Sequence, residues 1–151
     1  MRFQQLNEQL AYVSKCRLEI AKLYRRLHEG VDSSRVKLML EYLQQHEKDV
    51  AKKIDNYIEE APTRLLELWY NDIVFEDFIK RCQDIVIHAN MDEESLLELH
   101  LELDNCLIGL LEKTERSSVP GEVKSALADL IRVEKIQQQR LVHSYIRMDD
   151  I

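Results

Sequence analysis

Val36-Lys37-Leu38-Met39-Leu40-Glu41-Tyr42-Leu43 returns, loosened, as Val123-Lys124-Ser125-Ala126-Leu127-Ala128-Asp129-Leu130, and this pair of stretches decides the fold. The offset is 87 residues: Val36 matches Val123, Lys37 matches Lys124, Leu40 matches Leu127, Leu43 matches Leu130 and, further on, Glu47 matches Glu134. In each stretch the apolar residues fall at three- and four-residue steps, the period of one face of an α-helix. Outward from the first, Val36, Met39, Leu40, Leu43, Val50, Ile54, Tyr57 and Ile58 form one stripe from Ser34 to Glu60. Asp32, Ser33 and Ser34 offer its N-cap and Pro62 ends it. Before it, Leu6, Leu10, Val13, Ile20, Tyr24 and Leu27 trace a helix from Phe3 to Glu29, and Gly30 stops it as a C′ glycine does.

The second half repeats this plan. Leu18-Glu19 matches Leu101-Glu102 at an offset of 83. A third helix runs from Asp92, which can cap it, to Glu115, with Leu96, Leu99, Leu103, Cys106, Leu107 and Leu110 as its stripe. Ser117-Ser118-Val119-Pro120-Gly121 is the clearest loop, and Pro120 opens a fourth helix that reaches Arg147. Gly109, inside the third helix, offers a neighbouring helix a close approach. The expectation is one all-α domain over residues 1–151: a hairpin over 3–60, a crossover over 62–90 and a hairpin over 92–147, packed as an antiparallel four-helix bundle. In the crossover, Leu65 to Tyr70 and Ile73 to Ile79 read as one or two short helices broken near Asn71-Asp72.

Composition excludes several classes. Three glycines and two prolines in 151 residues cannot supply the turns of a sandwich or barrel, nor a glycine-rich phosphate loop. With 21 basic and 28 acidic side chains the net charge is −7, which argues against nucleic acid and against an anionic membrane surface as partners. No apolar run approaches the ~18 residues that span a bilayer, and the first eight residues turn polar too soon for a signal peptide. Cys16, Cys82 and Cys106 are an odd number, far apart, which suits a reducing cytoplasm. Cys16 and Cys106 read as small core residues. No Ser-His-Asp or Cys-His arrangement is present, and no thiol has a histidine within a helical turn to lower its pKa. Of the five histidines, His46 reads as a half-exposed helix residue and His100 as a core histidine.

Glu47 is the exception on its stripe. A helix turns about 100° per residue, so Glu47 lies near the middle of the face made by Val36, Leu40, Leu43, Val50 and Ile54. Glu134 sits equally centrally among Val123, Leu127, Leu130 and Leu141. Carboxylates are rarely buried unless they are paired or bind metal. Arg17, Tyr24 or His100 on facing helices are available as partners, and so is buried water.

Two hairpins, a long crossover and an inward glutamate on each second helix resemble the ferritin-like family of ferritin, rubrerythrin and related di-iron proteins. The resemblance covers the four long helices. It implies that each half supplies one glutamate from its first helix and a Glu-x-x-His from its second. The matching positions are Glu19 and Glu102 as terminal metal ligands, with Glu47 and Glu134 bridging the metals. The histidine positions read Val50 and Gln137. Valine cannot bind a metal and an amide is a weak substitute for imidazole. Glu19 and Glu102 also lie near the margins of their stripes, so the site reads as eroded. His46-Glu47 is similar to the metal helices of the hemerythrin family, which needs a set of histidines this sequence lacks.

Two functions follow. The first is a non-catalytic or degenerate ferritin-like bundle that acts as a protein-interaction or self-association module, a homodimer or homo-oligomer, without a cofactor. Its surface would be the aromatic crossover, where Trp69, Tyr70, Phe75 and Phe78 are rimmed by Glu67, Asp72, Glu76 and Asp77. The same aromatics, if buried, would close one side of the bundle instead. The second function is a carboxylate-bridged oxidoreductase or metal-storage protein holding a divalent metal, Fe or Mn, on Glu19, Glu47, Glu102 and Glu134.

Overall fold

A computed structural model describes residues 1–149, with side chains to residue 145. The chain is mostly helical, with six helices and one two-stranded sheet among the described residues. It divides into two compact units, Met1–Leu96 and Leu97–Ile151. The first contains β1 (Arg2–Gln5), α1 (Leu6–Gly30), α2 (Ser34–Glu60), α3 (Thr63–Leu66), β2 (Trp69–Val74), α4 (Phe78–Gln83) and the opening turn of α5 (Glu93–Glu115). The second contains the rest of α5 and α6 (Gly121–Asp149). No helix among the described residues is long and apolar enough to cross a membrane.

The four long helices fall where the apolar periodicity places them. Ser33 caps α2, its Oγ accepting from the Val36 N–H at 3.3 Å. Asp92 caps α5, its Oδ1 accepting from the Ser95 N–H at 2.8 Å. That hydrogen bond holds the Asp92 carboxyl below its ordinary pKa. α1 and α2 run antiparallel, since Ser14 Oγ donates to Asp55 Oδ1 at one end and His28 pairs with Glu41 at the other. Between them Leu6, Leu10, Val13, Ile20, Leu40 and Leu43 are buried, as their three- and four-residue spacing requires.

Gly30 ends α1 for a reason other than a left-handed turn. No glycine among the described residues has positive φ. The Val31 N–H returns to the Leu27 carbonyl at 3.0 Å, and the chain leaves in extended conformation. A Cβ on Gly30 would stand 2.6 Å from Ile87 Cγ2. The segment after α4 crosses the end of α1 there, fixed by the Asp32 N–H on the Ala89 carbonyl at 3.0 Å.

The crossover departs from the purely helical expectation. Residues 69–74 run through Asn71-Asp72 as a strand, and Arg2–Gln5, expected at the start of the first helix, pairs with it antiparallel. Phe3 stands opposite Ile73, Arg2 opposite Val74 and Gln5 opposite Trp69. One residue of β1, Gln4, therefore spans against three of β2, Tyr70, Asn71 and Asp72, as in an enlarged bulge. The bulge lets Tyr70 and Ile73, three positions apart, both face inward.

In the second unit α5 and α6 are antiparallel. Gln138 Nε2 donates to Asp104 Oδ2 at 2.7 Å and to Asn105 Oδ1 at 2.8 Å, and Lys135 pairs with Glu112 at 3.3 Å. Leu103, Leu107 and Leu110 on α5 and Val123, Leu127 and Leu141 on α6 are buried. Among the described residues a Cβ on Gly109 would meet nothing within 4 Å, so the close helix approach expected at that glycine is not made by any of them.

Candidate functional site

Arg17 on α1 and Glu47 on α2 are 1% and 0% exposed. Each helix projects its residue from the middle of its apolar stripe, so neither charge can reach water. Arg17 Nη1 lies 3.2 Å from both Oε1 and Oε2 of Glu47. A buried carboxylate left alone costs several kcal/mol, and a guanidinium that contacts both oxygens offsets that cost. Of the partners open to Glu47 in the sequence, Arg17 is one that the fold supplies.

The other three carboxylates of the expected metal quartet are placed differently. Glu19 lies two residues beyond Arg17, about 200° around α1. It is half-buried and turns toward α4, where Gln83 Nε2 stands 3.5 Å from its Oε1, while Lys22 Nζ lies 3.7 Å from Oε2. Within the first unit, Glu47 is thus joined to Arg17 while Glu19 faces Gln83. In the second unit Glu102 is exposed and Glu134 half-buried. Val50, at one position where the family places histidine, is buried, and Gln137, at the other, is half-buried. His46 is half-buried and stacks on Tyr42, their ring centroids 6.4 Å apart. Cys16 and Cys82 are buried and Cys106 is half-buried.

The aromatic crossover splits in two. Tyr70 is buried and its hydroxyl donates to Gln9 Oε1 at 2.8 Å. Burial first, then the nearby Glu8 carboxylate, pushes the Tyr70 hydroxyl far above its ordinary pKa. Phe78 is fully buried, and its N–H donates to the Tyr12 hydroxyl at 3.1 Å. Burial first, then Cys16, pushes Tyr12 up to about 12. Phe75 is half-buried, stacked on Phe78 and edge-on to Tyr12. These three aromatics pack the ribbon and α4 onto α1.

Trp69 does the opposite. It is 68% exposed, and Val74 at the other end of β2 is 52% exposed. Both lie on the side of the ribbon away from Phe3, Tyr70 and Ile73. Arg2 and Gln4 of β1 reach Asp72 on the same ribbon. Aromatic content grouped Trp69 with Tyr70, Phe75 and Phe78 in the sequence, and the strand separates it from them. The signal that could have shown this was the β-branched and aromatic content of residues 69–74.

Comparison with known proteins returns no match: no family model, no curated protein and no solved structure corresponds to the chain.

Proposed function

We propose that the chain is a non-catalytic module of the ferritin-like kind that works by binding protein, itself or another, through the outer face of its β-ribbon. Trp69 carries this reading. An indole is the side chain most costly to leave in water and the one most enriched at binding hot spots, and here it stands clear of a core that has taken in its neighbours. Val74 extends the apolar face, and Asp72, Gln4 and Arg2 supply a polar rim.

The Arg17–Glu47 pair supports the non-catalytic half of the proposal. Arg17 already balances the charge of Glu47, so a metal using that carboxylate would have to compete with a buried guanidinium. The carboxylate-bridged reading also asks Glu19 to leave Lys22 and Gln83. The purified protein, incubated with Fe(II) or Mn(II) and desalted, is expected to retain less than about a tenth of an equivalent. Retention near one or two equivalents, lost in Glu47→Gln, would restore the metal reading.

The interaction itself is tested by placing a photo-reactive benzophenone side chain at position 69 and, as a control, at exposed Lys53. Cross-linking of a protein from position 69 but not from position 53 is the expected result. A position 69 that captures neither a second copy nor any other protein overturns the proposal.

A further inference from the structure

The charge around the exposed face names its partner more closely. Residues 59–77 hold Glu59, Glu60, Glu67, Asp72, Glu76 and Asp77 against the single base Arg64. That stretch accounts for −5 of the chain's net −7 and contains the whole of β2. Glu59, Glu60 and Glu67 are exposed. Part of the charge is balanced locally, since Arg2 lies 3.6 Å from Asp72 and Arg81 lies 3.0 Å from Glu76. Trp69 and Val74 stand exposed at the two ends of β2, with Asn71 and Asp72 exposed between them and Glu67 exposed two residues before the indole.

Resting on the interaction reading above, we infer that this face docks a cationic protein segment, one that carries lysine or arginine beside apolar residues. Three features fit one such segment together. The indole face of Trp69 accepts an ammonium or guanidinium by cation–π attraction, which tryptophan provides best. The flanking carboxylates draw the same charges in from solution and hold them at the rim. Val74 and the edge of the indole take the apolar residues between. Nucleic acid and anionic lipid carry the wrong sign for this face. A second copy would bring one acidic rim against another.

Trp69 is the only tryptophan in the chain, so its emission reports this face without a label. The test titrates the intact protein with a ten-residue peptide alternating arginine and leucine. Two control peptides carry glutamine or glutamate in place of arginine. The arginine peptide is expected to shift the emission to shorter wavelength and to saturate. Raising the salt from about 0.05 to about 0.5 M is expected to weaken that binding roughly tenfold or more, because exposed charges are screened. Glu67→Gln with Asp72→Asn is expected to weaken it several-fold, read by anisotropy of a labelled peptide, with helical circular dichroism unchanged.

Equal binding of the glutamine or glutamate peptide would overturn the cationic partner while leaving an interaction surface in place. An emission shift driven by protein concentration alone would overturn it in favour of a second copy. If no peptide and no concentration moves the emission, the cationic partner falls. The cross-link from position 69 then decides separately whether the face binds protein at all.

Discussion

Glu47 and Glu134 stand at matched places in two helical hairpins, 87 residues apart, each in the middle of an apolar stripe, and the two hairpins treat them differently. In the α1–α2 hairpin the acid is fully buried and Arg17 lies across from it. In the α5–α6 hairpin the matched acid is half-buried, and the helices are joined by the amide of Gln138 on Asp104 and Asn105 and by the pair of Lys135 with Glu112. The 83-residue offset between the first helices sets His100 at the place of Arg17. A stripe therefore determines only that a helix has a buried side. The fate of an acid on that stripe depends on what the facing helix offers, and α1 offers Glu47 a guanidinium nitrogen that contacts both of its oxygens.

The sharpest way to break this comparison is to remove Arg17. Arg17→Met should cost about 3–5 kcal/mol in denaturant unfolding, because it removes the guanidinium that lies against the buried Glu47 carboxylate. Adding Glu47→Leu to it should recover most of that loss. Glu134→Leu should stay within about 1 kcal/mol of the parent, as half-buried positions usually do. If the Arg17 and Glu134 variants lose equal stability, the two hairpins do not differ in the way described.

Two of the helix glycines, Gly30 and Gly109, sharpen the same contrast at smaller scale. Gly30→Ala should destabilise by about 1–3 kcal/mol, since its methyl must displace Ile87 from the end of α1. Gly109→Ala has open space and should stabilise by roughly 0.5–1 kcal/mol through helix propensity. Thermal unfolding of both variants in one buffer checks the pair. A stabilising Gly30→Ala would mean that Ile87 yields freely.

A last difference is a pH dependence carried by Tyr12 in the first unit. Tyr12 is pushed up to about 12 in the folded protein and returns to its ordinary value near 10 on unfolding. The folded form thus holds its proton more tightly. Its contribution is complete below pH 10 and is lost as the pH rises from 10 toward 12. The unfolding midpoint should fall across that window, and less steeply in Tyr12→Phe. Equal slopes in the two proteins would remove Tyr12 as the cause.

The long helices were legible because each is long enough for a three-four periodicity to repeat many times, and because Pro62, Ser33, Asp92 and Pro120 mark their ends. The ribbon was not. Its strands have four and six residues, too few for alternation to show, and the bulge spaces buried Tyr70 and Ile73 as a helix would. A strand pairing across more than sixty residues also leaves no local mark in either segment. At the candidate site, the oddity of Glu47 was visible and Arg17 stood among its possible partners. The turning of Glu19 toward Gln83 was not visible, because it depends on where a six-residue helix comes to rest. Trp69 was singled out together with Tyr70, Phe75 and Phe78 as one aromatic segment, and composition alone does not show that a strand turns adjacent residues to opposite faces.

The ribbon also sets an order of events during synthesis. α1 and α2 are joined by three residues and can pair within microseconds once both exist. β1 must wait for β2, about 70 residues later, which at ribosomal rates of ~5–20 residues per second is a delay of roughly 4–14 s. Through that interval Phe3 has no strand opposite it, and Tyr12 lacks the Phe78 N–H that it later accepts. The side of α1 that the ribbon and α4 finally cover is therefore among the last parts of the first unit to leave water. A nascent chain halted before residue 69 would present that side of α1 to whatever chaperone stands at the tunnel exit.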